Sequence, residues 1–190
     1  MRFYRRSFKP PTGSSFFLLG PRGTGKTTWI RKTLEPALSI NLLKSSDFLD
    51  LESNPSLLRK WVESLPKNSW ILIDEIQKIP KLLDEIQDIL VDHDDRYRFA
   101  LTGSSARKLR RSHGNLLAGR ALSKNMYPLN SHEVNYDFKL DEILRFGSLP
   151  KVLRLDSREG KIEFLNSYID TYLKEEIQQE LKGSLRQVME

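Results

Sequence analysis

The run Gly20-Pro21-Arg22-Gly23-Thr24-Gly25-Lys26-Thr27 has the spacing G-x-x-x-x-G-K-[ST]. Glycines at these intervals let backbone N–H groups turn inward around phosphate oxygens. A helix leaving such a loop adds its positive N-terminal end. Lys26 is therefore expected to bridge the β- and γ-phosphates of a nucleotide, and the Thr27 hydroxyl to ligate Mg2+. Thr28 is expected to help at the α-phosphate. A second constellation follows the apolar run Trp70–Ile73, which ends in Asp74-Glu75. An acid at the end of a strand beside the phosphate loop suits a magnesium ion, held through water, and Asp74 is assigned there. A second carboxylate next to the metal can orient an attacking water or take its proton, which is the role read for Glu75. P-loop kinases of small molecules generally lack that second acid.

Two further positions are weaker candidates. Phe99–Thr102 is an apolar strand followed by Gly103, Ser104 and Ser105. In the additional-strand class of P-loop proteins this strand lies between the two motif strands. A hydroxyl at its end would then reach the γ-phosphate and the water. Ser104 is the first choice, with Thr102 and Ser105 behind it, and a Ser here equally suits a helix cap. Arg120 precedes the next apolar segment and has the chemistry to stabilise transition-state charge in a neighbouring subunit. As a surface Arg it would need no such role.

Elements must position these groups. Ser15–Leu19 reads as a buried strand running into the loop, and Lys26–Thr33 as the helix leaving it. Leu38–Leu43, Trp70–Ile73, Tyr97–Thr102 and Arg120–Leu129 complete five strands. A helix opening at Pro55, capped by Ser53 or Asn54, carries Leu57, Leu58, Trp61, Val62 and Leu65 at helical spacing. Another opens at Pro80, and Ser105–Arg111 forms a third. Trp29 and Trp61 fall on apolar helix faces and are expected in the core. Strands alternating with helices predict an α/β fold, a parallel sheet covered on both faces. From Ser157 to Leu181 the pattern changes to one long amphipathic helix carrying Phe164, Leu165, Tyr168, Ile169, Tyr172, Leu173 and Ile177.

Composition bounds the chemistry. The chain has 190 residues, 31 Lys plus Arg against 25 Asp plus Glu, and no Cys. A thiol nucleophile and a Cys-ligated metal centre are excluded. His93, His113 and His132 lack metal-ligand spacing, so no zinc site is expected. The Asp92–Asp95 run lacks the pattern of a calcium loop. No stretch approaches the roughly 20 apolar residues of a spanning helix. The basic N-terminus is not followed by an apolar run of signal-peptide length. The expectation is a soluble, cytoplasmic protein that does not engage a membrane.

The net charge of +6 is unevenly placed. Arg96–His132 holds eight Lys or Arg and no acid, whereas Asp74–Asp95 holds eight acids and two Lys. The basic block, with Arg107, Lys108, Arg110 and Arg111, fits nucleic-acid phosphates. It fits equally a solvated face, pairing with the acidic segment, or an adjacent subunit. No base-reading motif accompanies it.

Together these residues resemble an AAA+ ATPase. The resemblance is nearer to the bacterial and archaeal AAA+ ATPases that carry a C-terminal domain of unknown function. It is carried by FFLLGPRGTGKTT at 16–28, ILIDEIQKIP at 71–80, ALTGSS at 100–105, LAGR at 117–120, YPL at 127–129, GSLPKV at 147–152 and YIDTYLKEEI at 168–177. It implies an α/β P-loop NTPase of the AAA+/ASCE type, with a five-stranded parallel sheet sandwiched by helices and a helical C-terminal segment. It implies binding of ATP and ADP with Mg2+ by Gly20, Pro21, Arg22, Gly23, Thr24, Gly25, Lys26, Thr27 and Thr28. It also implies hydrolysis through Lys26, Glu75, Ser104 and Arg120, with Arg120 serving a homo-oligomer. The segment around Phe3, Tyr4, Arg5 and Phe8 would lie near the adenine. Residues 1–135 would be the nucleotide-binding core and 136–190 a helical lid or connector. Proteins of this group usually run to about twice this length, so the resemblance covers only their N-terminal ATPase part. Two other readings stay open: a nucleotide-gated nucleic-acid-binding switch with little turnover, and a P-loop kinase.

Overall fold

The computed structural model describes residues 4–104, 109, 117 and 119–174. Five strands form one parallel sheet in the order β2-β3-β4-β1-β5. They are β1 (Ser15–Leu19), β2 (Leu38–Asn41), β3 (Trp70–Asp74), β4 (Arg98–Gly103) and β5 (Ala121–Asn125). The fold is thus the α/β class read from the alternation of strands and helices. β4 lies between β1 and β3, the two strands that carry the motifs.

Strand side chains alternate between faces, and both faces are covered over β1, β3 and β4, whereas the edge strand β5 is largely exposed. Phe17, Leu19, Ile71, Ile73, Phe99 and Leu101 point into one core. That core is filled by residues of α2 (Ser45–Ser53), α3 (Leu57–Glu63) and α4 (Leu82–Asp92). Phe16, Leu18, Leu72 and Ala100 point the other way, against Trp29 and Ile30 of α1 (Lys26–Leu34). This two-sided burial explains why β1 and β3 read as continuous apolar runs. Trp29 is buried and Trp61 packs half-buried against the larger core, as their helical positions predict.

Several local boundaries differ from the sequence reading. β2 and β5 are shorter than expected, and α3 starts at Leu57 rather than Pro55. α2 is an addition to the sequence reading. Leu51 is its one fully buried residue and Leu49 is exposed, so its apolar periodicity is weak. The expected helix over Ser105–Arg111 lies outside the described residues except for Leu109, which is buried. Arg59 of α3 staples α4, reaching Glu85 at 2.9 Å and Asp92 at 2.7 Å. Hydrogen bonds to Asp92 and Glu85 hold its guanidinium above the ordinary value.

The chain divides into two compact units, Phe8–Tyr127 and Met1–Ser7 with Pro128–Glu190. The second contains α5 (Leu140–Phe146) and α6 (Arg158–Tyr168). The Ser157 side chain caps α6 by accepting the Gly160 N–H at 3.0 Å. Phe164, Leu165 and Tyr168 of α6 pack on Phe146, Leu149 and Val152. The long helix expected over Ser157–Leu181 is described as far as Lys174, and is α-helical from Arg158 to Tyr168. It continues as a π-helical turn over Ile169–Leu173, in which Ile169 is exposed and Tyr172 buried. Ile177 lies outside the described residues.

A buried ion pair ties down the N-terminal segment of this unit. Glu133 Oε1 meets Arg6 Nε at 3.3 Å and accepts the Ser7 N–H at 2.7 Å. Its Oε2 accepts the Asn130 N–H at 3.2 Å. Burial lowers the Arg6 pKa, against the raising effect of Glu133. Replacing Glu133 by Ala removes the counter-charge from a buried guanidinium and the acceptor from two N–H groups. Stability is expected to fall by about 3 kcal/mol, read by urea denaturation. Among the described residues, no helix is long and apolar enough to cross a membrane.

Candidate phosphate-binding and hydrolysis site

In a parallel sheet every strand presents its C-terminal end to the same side, and ligands collect there. β1 ends at Leu19 and leads directly into the glycine-rich loop. Backbone bonds extend both neighbouring ladders past the strand ends and fix where that loop begins. Gly20 N–H donates to Gly103 O at 3.3 Å, and Met126 N–H donates to Leu19 O at 2.7 Å. Gly20 has a φ of +142°, and a Cβ there would lie 2.1 Å from the Met126 carbonyl oxygen. No side chain fits. Gly20→Ala is expected to displace the loop and to abolish any thermal stabilisation by added nucleotide. Scanning calorimetry with and without nucleotide checks this.

The loop ends at Gly25, which enters α1 in the left-handed conformation with φ 93° and offers no side-chain cap. The first-turn N–H groups of α1 are thus left for an anion. Thr24 is buried, its hydroxyl bonded to Pro21 O at 2.9 Å, which braces the loop from within. Pro21, Arg22 and Gly23 border the loop's outer side, and Pro21, Arg22 and Thr28 are exposed. The Lys26 side chain folds back over the loop, its Nζ donating to Gly20 O at 2.6 Å and to Pro21 O at 3.0 Å. The ammonium therefore sits inside the cradle that the glycines form.

Thr27 and Asp74, 47 positions apart in the chain, meet across the sheet. The Thr27 hydroxyl donates to Asp74 Oδ1 at 2.7 Å. A hydroxyl and a carboxylate oxygen at this spacing are hard oxygen donors of the kind that Mg2+ takes beside phosphate oxygens and water. The residues present fit that ion. Asp74 Oδ1 also accepts the Thr102 hydroxyl. Ile73 is paired with Leu101, so Asp74 and Thr102 lie one step further along the same ladder. The Thr102 oxygen in turn accepts the Glu75 N–H at 3.1 Å. Glu75 has left β3 and adopts a left-handed conformation, φ 62° and ψ 46°. One Thr hydroxyl thus fixes both acids, through the carboxylate of one and the main chain of the other. The Glu75 carboxylate is held separately, its Oε2 accepting from Gln77 Nε2.

The structure brings Lys26, Thr27, Asp74 and Glu75 together at one end of the sheet. Thr102, ranked behind Ser104 on sequence, is the hydroxyl bonded to the acids. Ser104 follows the end of β4 half-buried, and Ser105 lies outside the described residues. Gln77 has no role in the sequence reading, although it stands in the Asp-Glu-Ile-Gln run. Arg120 lies elsewhere. It precedes β5, at the N-terminal ends of the strands, and its Nη1 is 3.4 Å from Asp95 Oδ1. A strand of five residues is roughly 17 Å long, so Arg120 does not reach the phosphate loop of its own chain. Arg120–Asp95 and Arg96–Asp94, at 3.9 Å, are contacts between the basic and acidic segments. Arg107, Lys108, Arg110 and Arg111 lie outside the described residues. Phe8, expected near an adenine, packs edge-on to Trp29 at 4.6 Å, and Tyr4 belongs to a small core with Leu129 and Val134.

A glycine-rich loop between strand and helix, with an acid pair on the next-but-one strand of a parallel sheet, defines a P-loop nucleotide-binding domain. A family model described as an AAA domain matches residues 13–135, and the chain belongs to that family. It is, in general terms, a nucleotide-binding domain. It is 26% identical over 131 residues to the uncharacterized protein MJ1544 of Methanocaldococcus jannaschii, covering 60% of this chain and 29% of that protein. Among solved structures it is similar to the Aeropyrum pernix ORC2 protein in its ADPNP-ADP complexes. The TM-score is 0.44 and the identity 15%, over 65% of this chain and 44% of that one. It is also similar to a single-residue variant of Thermotoga maritima RuvB, with a TM-score of 0.44 and 18% identity, over 65% of this chain and 41% of that one. The chain thus spans under a third of the curated relative and under half of each of these structures.

Proposed function

We propose that this domain binds ATP with Mg2+ and hydrolyses it to ADP and phosphate, and that occupancy of the γ-phosphate position drives a domain movement. The observation that carries the reading is the 2.7 Å contact between Thr27 and Asp74, which closes the phosphate loop onto the acid strand. Lys26 exchanges its bonds to the Gly20 and Pro21 carbonyls for phosphate oxygens as nucleotide enters. Thr27 and Asp74 hold the metal. Bound Mg2+ supplies neutralisation of phosphate charge. Glu75, adjacent in sequence and braced by Thr102, orients the attacking water and accepts its proton. Residues 1–135 act as the ATPase core, and 136–190 as the lid or connector that moves.

Arg120 acts, on this reading, in the active site of a second subunit, since it faces away from its own phosphate loop. In such an assembly it would leave Asp95. Ser104 contacts the γ-phosphate from the end of β4. The absence of Cys suits a reducing cytoplasm. The test is phosphate release by the purified protein with ATP and Mg2+, across protein concentration and with and without DNA. Release of free phosphate is expected, with a specific rate that rises with concentration. Transfer of the phosphoryl group to an added acceptor, without free phosphate, would make the protein a kinase instead. Stimulation by DNA would assign the basic block to nucleic acid.

A further inference from the structure

We infer that Gln77 is a positioning residue for hydrolysis, which holds the Glu75 carboxylate with one oxygen turned toward the water. This rests on the reading of Glu75 as the general base. Gln77 lies in the single 3-10 turn, Ile76–Lys78, that follows the acid pair. The turn is pinned at both ends: Lys78 N–H donates to Glu75 O at 2.9 Å, Ile79 N–H donates to Ile76 O at 3.1 Å, and Ile76 is fully buried. From it the Gln77 carboxamide reaches back, and its Nε2 donates to Glu75 Oε2.

The orientation of that amide is set by chemistry. A flipped amide would put its oxygen against a carboxylate oxygen, two acceptors with no proton between them. In the observed orientation Gln77 Oε1 is buried without a hydrogen-bond partner. A buried acceptor left unpaired is costly, and its retention needs an explanation. The bond to Glu75 supplies one.

Gln77 also lies against the last residue of β4. A Cβ on Gly103 would lie 2.8 Å from Gln77 Oε1 and 3.3 Å from Leu19 Cδ2. Gly103 in turn accepts the Gly20 N–H that opens the phosphate loop. The amide is therefore wedged between Glu75 and the backbone at the C-terminal end of β4. Gln77 engages one carboxylate oxygen of Glu75 and leaves Oε1 to accept from water. A carboxylate anchored at one oxygen loses most of its rotational freedom before the reaction, which lowers the entropic part of the barrier.

The test compares Gln77→Met and Gln77→Glu with the unaltered protein. Met keeps the length and volume but donates no hydrogen bond. Glu keeps the shape and sets a carboxylate against Glu75. For both, kcat for ATP is expected to fall about 10- to 100-fold. KM, nucleotide affinity and melting temperature stay close to those of the unaltered protein. Gly103→Ala, which presses on the amide from the other side, is expected to lower kcat in the same direction. The double variant Glu75→Gln with Gln77→Met should turn over no more slowly than Glu75→Gln alone, because both act on one group. An unchanged or raised kcat in Gln77→Met and Gln77→Glu would overturn the inference, as would losses of kcat that only follow losses of melting temperature. If Glu75→Gln is inactive while Gln77→Met is normal, the positioning role alone fails. If Glu75→Gln keeps its turnover, the base assignment fails and takes this role with it.

Discussion

Glu75→Gln is expected to bind ATP as tightly as the unaltered protein and to hydrolyse it about 100- to 10,000-fold more slowly. The substitution keeps the length and planarity of the side chain. A Gln oxygen can still accept from Gln77 Nε2, and the main-chain N–H of residue 75 still reaches Thr102 Oγ1. The contacts that place the residue are thus preserved, and the group lost is the base itself. An equilibrium nucleotide titration paired with a phosphate-release assay separates the two quantities. Turnover at the unaltered rate would remove Glu75 from the reaction. It would move attention to Asp74, whose carboxylate is already shared between Thr27 and Thr102.

Lys26→Ala is expected to weaken ATP binding by about 100-fold or more, on the order of two charge-assisted hydrogen bonds to phosphate. It also removes the two bonds from Nζ to the Gly20 and Pro21 carbonyls. Those carbonyls border an exposed loop and find water, so the melting temperature without nucleotide should change little. The increment in melting temperature that saturating ATP confers on the unaltered protein should vanish. A retained increment would mean that the backbone N–H groups and the α1 terminus carry phosphate binding without the lysine. The pair of variants is therefore diagnostic, one removing binding and the other removing only the chemical step.

The two charged segments behave differently once folded. Part of the contrast between them is consumed locally, since Arg120 meets Asp95 and Arg96 meets Asp94. These pairs are exposed and contribute little to stability. Breaking the Arg120 pair to reach a neighbouring subunit therefore costs little.

The sequence by itself determined the features whose chemistry is local. A phosphate cradle is made by backbone N–H groups of consecutive residues, so Gly20–Thr27 announces itself wherever the chain is read. The acids at 74 and 75 follow their own apolar strand. The runs SFFLL and WILI show burial on both faces, and with it a covered parallel sheet. What faces what could not be read the same way. Thr102 and Ser104 are both hydroxyls at the end of one strand. The pairing of Ile73 with Leu101 is what sets Thr102 against Asp74. Gln77 reads as one more residue of a turn, and only the approach of Gly103 and Glu75 gives its amide a task. Arg120 stands beside a glycine-containing turn in the sequence, and strand direction puts it at the far end of the sheet. In a parallel sheet neighbours are joined by long crossovers, so strand order and register are settled by packing across the chain. That packing is what turns a loop and an acid pair, 47 positions apart at Thr27 and Asp74, into one site.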